Sequence, residues 1–338
     1  MAKLVTIGIP VYKRFDFLPK AIQSVALQDY PNIELIVSDN GMNEGLVADI
    51  VRQNYPRPFR FRREPVTVPL VTHFNNIMRE AAGDYYVQLC DDDEISPGFV
   101  SDLIRILEND ARVSVAFAKQ EVVDFSGHVI RTSADQIPER MTGEEFIQSW
   151  CTYQYGFKSW VTFLGRTKEI KDCGGMLESR HGTHADDSLV LKLCLGNMVA
   201  FSQRSAFRNR SYEESSGYSC SWQDLADDTQ VFLKFLDADP SICRFAKKDK
   251  PRWAESKKLL VKMAWETYHG RWATVYRKRL SWSSWLRAAF AMPFISAYYQ
   301  AVLRTFFIQA KAAVIAPVKK FLPGTRRIYR TLKEGRRA

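Results

Sequence analysis

The chain has 338 residues, 46% hydrophobic and 25% charged, with a mean hydropathy of −0.26. That length can bury a full catalytic domain with residues left for an appendage, and the composition excludes a disordered chain. The net charge of +10 is unevenly placed, because residues 251–338 hold 19 Lys+Arg against 3 Asp+Glu while residues 1–250 hold 29 against 35. Six cysteines without CxxC spacing read as reduced structural thiols, which argues against a disulfide scaffold or a zinc site.

Met1-Ala2-Lys3 leads directly into an apolar strand, Leu4 to Pro10, an arrangement that predicts no secretory signal and a cytosolic N-terminus. A helical pattern from about Phe15 to Leu27 and a second strand, Ile33 to Ser38, complete a βαβ unit, so these two strands are expected to lie parallel and adjacent. A third pair follows, with Phe59 to Arg63 as strand and about Val71 to Ala82 as helix. Tyr85 to Leu89 then reads as a buried strand that runs into Asp91-Asp92-Asp93-Glu94 and a Pro97-Gly98 turn. Pro10, Asp39 and the acids from Asp91 to Asp93 are therefore expected on one edge of one sheet, where open α/β sheets bind ligands.

Four adjacent carboxylates repel one another. A hard divalent cation shared with substrate phosphates accounts for the cluster, since Mg²⁺ and Mn²⁺ favour carboxylate oxygens and bind through one or two of them plus a diphosphate. The plainer alternative is a solvated acidic turn at a helix N-terminus.

Residues 97–109 read as a helix, Val113 to Phe117 as a strand, and Glu121 to Phe125 with Val129-Ile130 as a hairpin around Ser126-Gly127. Thr142-Gly143-Glu144-Glu145 carries the spacing of a capping box at a helix start, and Trp160 to Arg166 reads as another strand. His181, His184 and Asp186 have metal-like spacing but sit in a polar loop, which favours surface histidines over zinc. Arg208-Asn209-Arg210-Ser211-Tyr212 follows a strand-like stretch, Val199 to Phe201, and reads either as a segment supplying cations or a closing loop over a diphosphate, or as an ordinary basic loop. Pro240 and Pro251 bracket the expected boundary between a catalytic domain, residues 1–250, and a basic, aromatic-rich helical region, residues 251–338.

These motifs in this order resemble family 2 inverting glycosyltransferases of the GT-A fold, over about residues 1–215. The resemblance rests on Pro10-Val11-Tyr12, the Glu34 to Gly41 segment, Asn75 before Gly83-Asp84-Tyr85, the acids before Pro97-Gly98, and Gly174-Gly175-Met176 followed by Ala185-Asp186-Asp187. It implies a Rossmann-like, mostly parallel sheet flanked by helices, here with a C-terminal amphipathic helical appendage. It further implies a nucleotide-sugar donor bound by Pro10, Tyr12, Arg14, Asp39, Asn75 and Asp91, with Asp39 accepting from the imide N–H of uracil or thymine. Asp92, Asp93 and Asp91 are the implied ligands of Mg²⁺ or Mn²⁺. Alignment on Glu94 and Pro97 sets Cys90 at the family's first acid and makes Asp92 the ligand; the other register pairs Asp91 with Asp93. Asp187 is the implied base for the acceptor hydroxyl, a role needing a carboxylate within hydrogen-bond reach, and Asp186 the implied sugar or acceptor contact. Phe74 and Lys13 replace the Arg and Asn that many members carry.

In the C-terminal quarter, aromatic residues lie among the charges, and after Pro293 a wide apolar helical face is expected, too short to span a bilayer. Lys319 to Arg337 resembles a polybasic lipid-contacting tail. The expectation is an enzyme peripheral on the cytoplasmic face of the cell membrane, with a lipid-linked or polysaccharide acceptor in bacterial surface polysaccharide or lipopolysaccharide assembly, and no nucleic acid partner. Two other readings are a nucleotidyltransferase, against which the glycine-free Pro10 to Arg14 loop counts, and a nucleic-acid-binding protein, against which the acid cluster counts.

Overall fold

The computed structural model describes residues 2–156, 162–211 and 222–275. Trp160, the segment after Pro293 and the Lys319 to Arg337 run lie outside them. The elements run β1 (Val5–Val11), α1 (Leu18–Ala26), β2 (Ile33–Asp39), α2 (Leu46–Asn54), β3 (Arg60–Arg63), α3 (Leu70–Glu80), β4 (Tyr85–Gln88), β5 (Glu94–Ile95) and α4 (Phe99–Asn109). Then come β6 (Val113–Val123), β7 (Val129–Thr132), β8 (Arg140–Thr142), α5 (Gly143–Cys151), β9 (Leu164–Arg166), α6 (Thr167–Asp172), α7 (Ala185–Cys194), β10 (Met198–Arg210), α8 (Trp222–Ala238), α9 (Pro240–Lys248) and α10 (Lys250–Val275).

One sheet carries all ten strands in the order β3-β2-β1-β4-β9-β6-β10-β5, with β7 on β6 and β8 on β10. β1, β2, β3 and β4 are mutually parallel, and the register Val11↔Asp39 brings the ends of β1 and β2 level. The far half is mixed, because β9 enters antiparallel between β4 and β6 while β10 lies parallel to β6. The expected mostly parallel sheet is thus parallel in its first four strands and mixed beyond them.

Every residue of β1 is buried, as a strand covered on both faces requires. Two apolar clusters fill the two faces, one around Ile7, Leu35, Val87 and Leu103, the other around Phe117, Phe146, Leu189 and Phe232. Each such side chain contributes about 1.5–3 kcal/mol on burial. The capping box at α5 is present: Glu145 N–H donates to Thr142 Oγ1 at 3.2 Å, and Thr142 N–H to Glu145 Oε2 at 2.8 Å.

Two features depart from the sequence reading. Helix α2 was not expected; Leu46, Val47, Ile50 and Val51 give it an apolar stripe too short to stand out beside the turn before it. The short strand at Val199 continues as β10 to Arg210 through a bulge between Ser202 and Ala206. Arg208-Asn209-Arg210 is therefore strand, in register with Glu121-Val122-Val123, which corrects the loop reading for these three residues, while Tyr212 lies outside the described residues. The first compact unit runs from Met1 to Trp265, and Trp253, Leu260 and Ala264 are buried in the same cluster as Phe232. Among the described residues no helix is long and apolar enough to cross a membrane.

Candidate active site

The C-terminal ends of β1, β2 and β4 carry the candidate donor-binding residues. β4 pairs with β1 only as far as Gly8↔Gln88, and Pro10, which has no N–H, lies beyond that pair. The chain then turns through Tyr12, whose carbonyl accepts from Asn43 Nδ2 at 2.6 Å. Gly41 is required at this crossing, since a Cβ there would stand 1.8 Å from the Tyr12 carbonyl oxygen.

Asp39 ends β2 fully buried. Its Oδ1 accepts from Gly41 N–H at 2.8 Å and Asn43 Nδ2 at 2.7 Å, its Oδ2 from Asn43 N–H at 3.0 Å, and Arg63 Nε lies 3.4 Å from Oδ2. The residue implied to read the base is here the anchor of the 41–45 loop. That loop is strained: Met42 and Glu44 hold φ values of 56° and 45° in the left-handed region, which disfavours side chains with a Cβ.

The acids emerge from β4 as expected, and the structure separates their roles. Cys90 Sγ and carboxylate oxygens of Asp92 and Asp93 lie within 4.8 Å of one another, the one such grouping among the described residues. Asp93 is buried and also braced, accepting from Arg210 N–H at 2.9 Å and Asn209 Nδ2 at 3.2 Å. Burial first, then the neighbouring Asp92, push its pKa well above the usual carboxylate range. Asp91 stands outside the grouping, its pKa pushed up to about 7 by burial and by Asp92, against the opposing effects of Arg14 and the Tyr12 backbone. Arg14 Nη2 lies 3.7 Å from Asp92 Oδ2, so this expected donor-binding cation does reach the cluster. Carboxylates that resist ionisation beside one another fit a divalent cation, which would favour the charged forms. Oxygens of Asp92 and Asp93 suit Mg²⁺ or Mn²⁺; the Cys90 thiol, its pKa raised by burial and then by Asp93, Asp92, Asp91 and Asp186, is a soft donor that does not.

The sequence named Arg210 within a basic segment but not its role: its side chain is 1% exposed and joins the acid turn to β10. Its Nη2 contacts Glu94 Oε1 at 2.6 Å, Nε donates to the Asp92 carbonyl at 3.1 Å, and Nη1 donates to the carbonyls of Asp124 and Phe125. The guanidinium lies 4.2 Å from the Phe17 ring centroid. A basic residue at a strand end opposite an acidic turn was the available signal.

The second acidic pair opens α7. Asn75 of α3 sets it in place indirectly, donating from Nδ2 to the Met176 carbonyl at 3.0 Å and accepting from Met176 N–H at 2.8 Å. Gly175, with φ 72°, presses against this amide so closely that a Cβ would sit 2.5 Å from Asn75 Oδ1. Asn75, implied as a donor ligand, therefore ties down the glycine pair. Asp186 accepts from Asp187 N–H at 3.0 Å in the first turn of α7. Asp187 Oδ2 lies 2.8 Å from His184 Nδ1, while His181 pairs with Asp224. His184 is buried, which corrects the surface-histidine reading for that residue, and the metal grouping with Asp186 does not form among the described residues.

The comparisons agree with this geometry. The sequence profile described as glycosyl transferase family 2 matches residues 6–173. Abequosyltransferase RfbV of Salmonella typhimurium is 28% identical over 126 residues, 36% of this chain and 38% of that protein. The GalNAc(5)-diNAcBac-PP-undecaprenol beta-1,3-glucosyltransferase of Campylobacter jejuni is 31% identical over 107 residues, 31% of this chain and 34% of that protein. The chain thus spans well under half the length of these curated relatives. Among solved structures, S. aureus TarS 1-349 in complex with UDP-GlcNAc superposes with a TM-score of 0.62 at 15% identity, over 88% of this chain and 81% of that one. The mannosyltransferase PcManGT from Pyrobaculum calidifontis, in complex with GDP-Man and Mn²⁺, gives 0.55 at 13% identity, over 93% and 87%. At such identities the likeness is one of fold. With the profile covering the parallel strands and the acid cluster, residues 6–173 form a glycosyl transferase family 2 domain, and the chain carries the GT-A fold.

Proposed function

We propose that the protein transfers a sugar, with inversion, from a nucleotide diphosphate donor to a hydroxyl of a lipid-linked or polysaccharide acceptor. The observation that carries this reading is the grouping of Asp92 and Asp93 carboxylates at the end of β4, with Asp186-Asp187 opening α7 as the second acidic motif. Asp92 and Asp93 would hold a divalent ion, whose chemistry there is neutralisation of the leaving diphosphate. Arg14 adds a cation at the same edge. Asp187, 13% exposed at its side chain, takes the acceptor's proton as the hydroxyl attacks. Asp186 contacts the sugar or acceptor. Pro10, Tyr12 and Asp39 border the nucleotide, and a UDP- or dTDP-sugar is favoured because Asp39 can accept from an imide N–H once the strained 41–45 loop yields.

The acceptor class follows the relatives, one of which acts by name on a PP-undecaprenol glycan. The basic C-terminal quarter supports attachment to an anionic membrane surface on the cytoplasmic side. The test is a panel of UDP-, dTDP- and GDP-sugars with the full chain, with and without Mn²⁺ or Mg²⁺, reading nucleoside diphosphate release and thermal stabilisation. Stabilisation by one nucleotide that needs the metal is expected. No response to any member, with either metal, would remove the reading.

A further inference from the structure

Helix α8 stands behind the loop that leads into α7 and its candidate base. Asp224, Asp228 and Phe232 are four residues apart on it and so share one face. Asp228, buried, accepts from the backbone N–H of His181 at 3.1 Å and of Thr183 at 3.0 Å. Asp224 lies 3.2 Å from Arg180 Nη1 and 3.1 Å from His181 Nε2, an ion-pair distance without hydrogen-bond alignment. One turn on, the Phe232 ring lies under the His184 imidazole, with centroids 4.6 Å apart and planes inclined by 24°. The His184 side chain is 1% exposed; its Nδ1 meets Asp187 Oδ2 at 2.8 Å, and its Nε2 is buried without a hydrogen-bond partner.

An ionised carboxylate only accepts, so the proton between the two groups belongs to Nδ1. The buried Nε2 has no hydrogen-bond partner among the described residues, so the ring's hydrogen bonding runs through Nδ1 alone. The aromatic stack below it removes the freedom to turn away.

We propose that His184 is the positioning residue for Asp187: its Nδ1–H, fixed by the Phe232 stack and the Asp228-anchored loop, holds the base's carboxylate in one orientation. This rests on the assignment of Asp187 as base. A carboxylate at the first turn of a helix has two rotatable bonds, whereas proton transfer needs one geometry within hydrogen-bond reach of the attacking oxygen. The arrangement has a local signature, His184-Ala185-Asp186-Asp187, in which the orienting ring and the base are three residues apart across the helix start.

Two measurements on the full chain test this. In ¹⁵N-histidine NMR, the His184 signal, identified by its loss in His184→Phe, should report an Nδ1–H tautomer whose bound proton exchanges slowly, and Asp187→Ala should abolish that slow exchange. An Nε2–H tautomer, or a signal unchanged in Asp187→Ala, would overturn the proposal. This arm needs no substrate and decides the matter even if no nucleotide sugar is turned over, an outcome that would count against the proposed function alone. The second measurement is turnover of whichever nucleotide sugar the panel above reveals. His184→Phe keeps the stack and loses the donor, and should lower kcat about 10- to 100-fold with the donor KM unchanged. His184→Asn, which returns an N–H near the Nδ1 position, should recover most of that loss. Equal losses in the Phe and Asn variants at wild-type melting temperature would assign His184 to packing only.

Discussion

Arg210→Met tests the joint between the acid turn and β10. The substitution conserves the apolar stem and removes the guanidinium, so it isolates the polar contacts from the packing. The guanidinium serves Glu94 Oε1 at 2.6 Å and three carbonyl oxygens, of Asp92, Asp124 and Phe125. Breaking a buried pair by removing one partner costs about 3–5 kcal/mol. Glu94 is 24% exposed and can recruit water, which favours the lower end, about 3 kcal/mol. For a unit of this size each kcal/mol shifts Tm by about 2–4 °C, so a fall of about 6–12 °C is expected. The double variant Glu94→Gln with Arg210→Met should recover part of it, since the amide removes the stranded charge. Differential scanning calorimetry of the wild type, both single variants and the double variant measures this. An Arg210→Met protein melting within about 2 °C of wild type would refute the view that this residue holds the acid turn.

Asp92→Ala should abolish Mn²⁺-dependent nucleotide binding in calorimetry with little change in Tm, whereas Asp93→Ala should lose both, because Asp93 also receives Arg210 N–H and Asn209; unchanged affinity in both variants would refute the metal assignment. Asp187→Asn should keep donor affinity and lower turnover by about 10²-fold or more, and near wild-type turnover would pass the role to Asp186. His73, buried and 2.7 Å from Ser38 Oγ, has its pKa lowered to about 4 by burial. The unfolded state therefore binds its proton first as pH falls below about 6.5, so this residue's share of stability is intact above that pH and is lost progressively down to about 4. Urea unfolding should register about 2 kcal/mol of that loss by pH 5, and His73→Asn should flatten it by a similar amount. Removing residues from Ser281 onward should release the protein from anionic vesicles in a salt-dependent way, and equal co-sedimentation of full-length and truncated chains would assign the basic quarter another use.

The parallel half of the fold was legible in the sequence because its signals are local. Continuous apolar runs at Val5 to Val11 and Tyr85 to Gln88, each followed by a polar turn, give buried strands whose ends share an edge. The Asp91 to Asp93 cluster was legible for the same reason: such repulsion within four residues calls for a cation or for water. Long-range pairing decided the rest. Whether Arg208 to Arg210 is loop or strand depends on β6 beside it, and only that register turns Arg210 inward to the Glu94 carboxylate. Asp39 and Asn75 carry family-like positions in the sequence, yet their partners, Asn43 across a tight turn and Met176 a hundred residues away, exist only once the chain has closed. The apolar partner of His184 is likewise non-local, a Phe232 contributed by a helix that the chain reaches only after β10. Residue type and spacing determine which side chains can do chemistry, and tertiary packing determines which oxygen or ring nitrogen is already occupied.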